Sequence, residues 1–256
     1  MTESGPPAPA PALAAEGLRV VRGGKAIVRG VDLEARAGEV VGLLGPSGAG
    51  KSTLFRAIVG ELPAAAGTVR LDGEDVTTWP LWRRARARVG YIPQTPSVLW
   101  DLTVRGNLEA FHQIVHGKRP SATEVDEAAA RVDLISRLDV LAGELSAGER
   151  RRLEFASAIT RPPRVLICDE PFAGVDPQGA ARLGDLLRDL ASHDVAVLLA
   201  DHHVAEALRV CTRAVLLLDG AIAASAEPEA FREHPLVQGR YLGTWSRSLP
   251  PSPPSQ

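Results

Sequence analysis

The run GPSGAGKST at residues 45–53 constrains this chain more than any other feature. Its spacing of Gly, four residues, Gly, Lys and Ser is that of a phosphate-binding loop. It directly follows the apolar strand candidate VVGLL (40–44) and directly precedes the helical candidate STLFRAIVGEL (52–62). Gly45, Gly48 and Gly50 let backbone N–H groups approach phosphate oxygens, and the following helix offers its positive N-terminal end. Lys51 supplies a point charge for the β and γ phosphates, and Ser52 a hydroxyl for Mg²⁺. With Pro46, Ser47, Ala49 and Thr53 these residues form the candidate nucleotide-binding stretch. A strand–loop–helix unit of this kind belongs in an α/β architecture.

The rest of the chain supports that architecture. VVGLL, RVLIC (164–168), VAVLLA (195–200) and AVLLL (214–218) read as buried strands of a largely parallel sheet. Residues from about 95 interrupt the alternation with consecutive helical candidates, among them SATEVDEAAARVDLISRL (121–138). There Ser121 and Glu124 have the spacing of a capping box. We therefore expect a helical subdomain over about 95–160, inserted into one domain spanning 15–246. Residues 1–14 and 247–256 are rich in Pro, Ala and Ser and are expected to be disordered tails.

Composition excludes several classes of function. A formal net charge of −2 supplies no general field for nucleic acid. The two cysteines, Cys168 and Cys211, lie in or beside apolar runs and lack metal-ligand spacing. No apolar run reaches the roughly 18 residues needed to cross a bilayer, so work at a membrane requires partners.

Two further motifs carry chemistry. RVLICDEP (164–171) is an apolar strand ending in two carboxylates. Asp169 is placed to hold Mg²⁺ and Glu170 to polarise an attacking water. LSAGERRRLEFASAI (145–159) starts a helix at Ser146, with Glu149 at capping-box distance.

Together the phosphate loop, the segment at 145–149 and the acidic strand resemble the ABC ATPase family, in order and spacing, across nearly the whole chain. The resemblance implies a P-loop NTPase of ABC ATPase type: a mainly parallel sheet core, an antiparallel β region and an inserted helical subdomain. It implies ATP and Mg²⁺ as cofactors. It further implies that Ser146, Ala147, Gly148 and Glu149 form a signature segment facing ATP bound to a second copy. Gln94 in YIPQ then resembles the loop glutamine that senses Mg²⁺, Asp176 in FAGVDP the following loop's aspartate, and His202 in LLADHHV the switch histidine. His203 reads as structural. Two positions depart from the family pattern: Ala147 stands where glycine is usual, and Arg22 where an aromatic residue usually stacks on adenine. A guanidinium also lies flat on π faces, so Arg22 stays a candidate adenine contact.

With one phosphate loop and one signature, the chain is expected to pair with itself as an ATP-sandwich homodimer. Lys51 and Ser146 are about 95 residues apart without sustained heptads, which argues against the coiled-coil repair and chromosome members. A single cassette without a basic linker argues against the translation factors. PLWRRARARVGYIPQ (80–94), DEPFAGVDP (169–177), LLADHHVAEALRVCTRAVLL (198–217) and RYLG (240–243) resemble the ATPase of lipopolysaccharide export. The alternative is the ATPase of branched-chain amino-acid import. Either implies transmembrane permease subunits as partners and a place on the cytoplasmic face of the inner membrane. Val98, Leu99 and Trp100 follow Gln94; they either pack the helical subdomain's core or line a groove for a helix of a membrane subunit.

Overall fold

The computed structural model describes residues 10–243. Most of the two expected tails lies outside them. Packing starts at Ala12: Ala12 and Leu13 are fully buried, and strand β1 (Leu13–Arg22) starts two residues inside the expected tail. The reason is that Leu13, Ala15, Leu18 and Val20 all find a core to enter.

β2 (Lys25–Ala35) turns back on β1, and β3 (Val40–Leu44) leads into the phosphate loop and helix α1 (Lys51–Ile58). β4 (Ala66–Leu71) and the short β5 (Glu74–Asp75) complete a four-stranded antiparallel sheet in the order β2-β1-β4-β5. α2 (Leu81–Arg86) and β6 (Val89–Ile92) precede three helices, α3 (Val104–His116), α4 (Ala122–Arg131) and α5 (Ala147–Ala158). The chain then alternates β7 (Val165–Asp169), α6 (Pro177–Ser192), β8 (Ala196–Ala200), α7 (Val204–Val210), β9 (Arg213–Leu218) and β10 (Ala221–Ala226). Short helical turns follow as far as Leu242. The second sheet has the order β10-β9-β3-β8-β7-β6, parallel throughout except for the β9–β10 hairpin.

The pleat divides this six-stranded sheet between two cores. Val41, Leu43, Ile167, Leu198, Val215 and Leu217 face one cluster, which contains Leu54 and Phe55 of α1 and the inner face of the antiparallel sheet. Their neighbours Val40, Leu44, Cys168, Leu199 and Leu216 face the other, with α5, α6 and α7. Burial on both faces is why these strands read as continuous apolar runs. The buried Arg84 of α2 anchors the far end of α1 by donating to the carbonyls of Ala57 and Ile58, which suits the negative end of a helix.

The helical region differs from expectation in one place. Ser121 and Glu124 form the capping box, but α4 stops at Arg131 instead of running to Leu138. Asp133 takes a left-handed φ of 56°, a conformation Asp tolerates, and its carboxylate is held by Arg152 of α5 and Arg182 of α6.

Candidate active site

The phosphate loop is shaped by close approach. A Cβ at Gly45 would lie 2.2 Å from the Leu217 carbonyl oxygen, so only glycine fits beside β9. Gly50, with φ 108°, caps α1 and lies against Ile27 of β2. Ser47 and Gly48 stand between them, and Ser52 and Thr53 follow in the first turn of α1. The Lys51 ammonium donates to the carbonyl oxygens of Gly45 (2.6 Å) and Pro46 (3.1 Å), which holds it over the loop. Burial pushes its pKa down, while the carboxylates of Glu170, Asp169 and Asp201 pull it back up. Burial pushes the Tyr241 hydroxyl's pKa up, against a smaller pull from the nearby Gly45 amide.

Asp169, at the end of β7, is buried, and burial pushes its carboxyl pKa up against the pull of the neighbouring Ser52 hydroxyl. Its Oδ1 is fully enclosed and makes no hydrogen bond among the described residues. A buried carboxylate oxygen without a partner, beside a hydroxyl and close to Lys51, is a donor set of the kind Mg²⁺ takes.

Glu170 takes a left-handed φ of 54°. Its amide donates to the Ala200 carbonyl oxygen (2.7 Å), and its own carbonyl accepts from Arg151 of α5 (2.8 Å). The carboxylate lies 3.5 Å from His202 Nδ1, so the acidic strand and the candidate switch histidine meet at the end of the sheet. His203 is turned elsewhere: its Nδ1 is 2.8 Å from Asp201 Oδ1. The donor atoms of Asp201, His202 and His203 lie within 4.8 Å of one another, but the Asp201 oxygens are already engaged by Phe172 N and His203.

The other candidates make their contacts elsewhere in the chain. Ser146 and Glu149 form the full capping box of α5, with bonds of 2.9 and 3.2 Å. Glu149 also accepts from Arg137 (2.7 Å), and that contact above all holds its pKa down at about 2. Ala147 and Gly148 lie against Gly174, Val175 and Asp176. Asp176 caps α6 through the amides of Gln178 and Gly179, both at 3.0 Å, which lowers its pKa. Gln94 is exposed, and its side chain makes no hydrogen bond among the described residues. Arg22 ends β1, exposed, opposite Lys25 across the Gly23–Gly24 turn.

Two groups escaped the sequence reading. Arg151 and Glu154 form a buried ion pair on α5, from which Arg151 also reaches the Pro93 carbonyl (2.9 Å) and Glu154 holds the Ser97 amide. The three consecutive arginines at 150–152 gave no sign of which one turns inward. Asp201 had a visible signal, a carboxylate at the end of an apolar strand, directly before two histidines.

The run after Gln94 splits. Val98 is core, whereas Leu99 and Trp100 remain exposed, with the Arg150 guanidinium 5.2 Å from the Trp100 ring centre. A groove of about 340 Å³ opens nearby, lined by Leu81, Tyr91, Ser97, Phe111, Ile114 and Val115 among others. Ile114 is 75% exposed at its rim. Among the described residues no helix is long and apolar enough to cross a membrane.

Residues 28–173 match the family described as ABC transporter. A probable ABC transporter ATP-binding protein of Azorhizobium caulinodans is 40% identical over 232 residues, 90% of this chain and 83% of that protein. The lipopolysaccharide export system ATP-binding protein LptB of Acidithiobacillus ferridurans is 38% identical over 225 residues, 86% of this chain and 91% of that protein. Among solved structures, the ADP conformation of an ATP-binding cassette of an ABC transporter superposes with a TM-score of 0.81 at 26% identity, covering 91% of this chain and 99% of that one. Motifs, fold and relatives agree: the chain belongs to the ABC transporter family, as an ATP-binding, ATP-hydrolysing subunit.

Proposed function

We propose that two copies of this chain form the ATP-driven motor of lipopolysaccharide export, working on the cytoplasmic face of the inner membrane. The observation that carries the two-copy reading is the division of the site. Lys51, Ser52, Asp169, Glu170 and His202 converge, while the N-terminal end of α5 at Ser146 to Gly148 packs against the loop before α6. A helix N-terminus favours an anion, and pairing two copies brings each signature segment to the nucleotide of the other.

In this reading the loop amides and Lys51 bind the phosphates, and Arg22 at the β1–β2 turn contacts adenine. Ser52, Asp169 and Gln94 would hold Mg²⁺, which neutralises charge on the phosphate oxygens. Glu170 orients and deprotonates the attacking water, and His202 bears on the γ phosphate beside it. Asp176 and Glu149 set the ends of the helices that meet the second copy.

The groove beside Ser97 accepts a helix from a membrane subunit, since helix docking uses apolar anchors such as Ile114 and Val115. Leu99 and Trp100 are exposed just beyond Ser97 but lie outside the groove's lining. The choice of lipopolysaccharide rests on relatives named for that export system at 37–38% identity, together with the segments noted in the sequence. The test is to purify the chain with its membrane subunits, reconstitute them in vesicles holding lipopolysaccharide, and follow ATP-dependent release to a soluble acceptor. Release that needs ATP and an intact Glu170 supports the reading. A complex that leaves lipopolysaccharide in place but accumulates branched-chain amino acids overturns it.

A further inference from the structure

The turn after β7 and the turn after β8 are joined by one side chain. Asp201 is fully buried, and its two oxygens are divided between the two turns. Oδ2 accepts from the amide of Phe172 (2.9 Å), and Oδ1 accepts from the amide of His203 (2.8 Å) and lies 2.8 Å from His203 Nδ1. A buried carboxylate is costly unless N–H donors fill its lone pairs, and here they do.

This bridge closes on the turn that carries the left-handed backbone of Glu170. Between Glu170 and Phe172, Pro171 has no N–H, so the segment has two amide donors. Both are taken by the end of β8, Glu170 N by the Ala200 carbonyl and Phe172 N by Asp201. On the other arm, the His203 ring is held by Asp201 and lies against the His202 ring, 4.0 Å between ring centres and tilted by 41°. His202 Nδ1 is thereby left between two carboxylates, 3.5 Å from Glu170 and 3.7 Å from Asp201 Oδ1.

We propose that Asp201 is a positioning residue for ATP hydrolysis, whose carboxylate fixes the turn carrying Glu170 against the turn carrying His202. The inference rests on the roles given above to those two residues. It extends them by assigning their relative placement to a third residue that touches neither substrate nor water.

Asp201→Asn isolates the effect. The carboxamide keeps the shape but has one accepting oxygen, and its NH₂ donates. One arm must therefore face a donor with a donor. We expect kcat for ATP hydrolysis to fall by roughly 10- to 100-fold, the loss a small misplacement of reacting groups causes. KM for ATP is expected to stay within about twofold, since the phosphate loop is untouched. Combining the change with His202→Ala gives a readout that a merely structural role would not produce. If Asp201 sets the placement of His202 against Glu170, the double variant loses less than the product of the two single losses.

A wild-type rate in Asp201→Asn with a slow His202→Ala overturns this inference and leaves the role of His202 standing. A wild-type rate in His202→Ala removes the role of His202 and this inference with it. Equal losses of kcat and ATP affinity, or multiplied losses in the double variant, reduce Asp201 to a stabilising residue. Should the Asn variant fail to fold, His203→Ala carries the test, because it removes only the arm that restrains His202. A reduced kcat at unchanged KM is then the expected result, and an unchanged kcat overturns the proposal.

Discussion

A non-glycine residue with a φ of 54° needs contacts that outweigh its strain, and at Glu170 they come from the Ala200 carbonyl and the Arg151 guanidinium. Both act on the backbone, so replacing the side chain leaves them in place. Glu170→Gln is therefore expected to fold and bind ATP normally while turnover falls by roughly 10²- to 10⁴-fold. Phosphate release and calorimetry together check it, and a normal rate removes the assignment. Lys51→Ala is expected to act earlier, weakening ATP binding itself, because a phosphate in the loop loses its cation. Unchanged affinity counts against the loop's role. Arg22 makes a third residue-scale case. If its guanidinium stacks on adenine, Arg22→Ala costs about 0.5–2 kcal/mol of ATP affinity and Arg22→Tyr restores it. A titratable residue gives the fourth. Glu149 has a folded pKa of about 2 against an ordinary 4.5, so the unfolded chain binds its proton more tightly. Its contribution to stability is complete above pH 4.5 and is lost as pH falls toward 2. Urea unfolding should show a shallower acid loss in Glu149→Gln than in the parent chain.

Helix ends, more than helix interiors, decide where the elements stop. Ser121 closes α4 through a reciprocal pair of bonds with Glu124, and Ser121→Ala is expected to cost about 1 kcal/mol of stability without altering ATP turnover. Chemical denaturation and a turnover assay separate the two effects. That start was legible because a capping box is local. The end of α4 was not, since the break at Asp133 depends on Arg152 and Arg182 arriving from other helices. The same distinction runs through the site. VVGLL and RVLIC announced their strands because burial on both faces removes polar residues, and the phosphate loop announced itself because its glycines and Lys51 must be contiguous. Arg151 could not be told from Arg150 and Arg152, for only the fold decides which of them meets Pro93 and Glu170. Val98, Leu99 and Trp100 likewise look alike in sequence and separate only in space.

At the scale of the whole molecule, the division of the site predicts an ATP-dependent change of mass. In ATP and Mg²⁺, Glu170→Gln should run as a dimer by light scattering and return to a monomer when nucleotide is removed, since binding without turnover traps the paired state. A chain that stays monomeric at saturating ATP would remove the two-copy reading. The order of strands has a further consequence, for biosynthesis. β3, which launches the phosphate loop, lies between β8 and β9, so the neighbours it pairs with leave the ribosome only after residues 196–218 are made. Until then Val41 and Leu43 have no sheet to join, and the antiparallel sheet formed by the early strands must wait beside an unfinished partner. A nascent chain stalled before β8 should be open to proteolysis and unable to retain ATP. Nucleotide capture thus waits on strands made some 150 residues after the phosphate loop's own strand begins, roughly the distance from Val40 to Ala196.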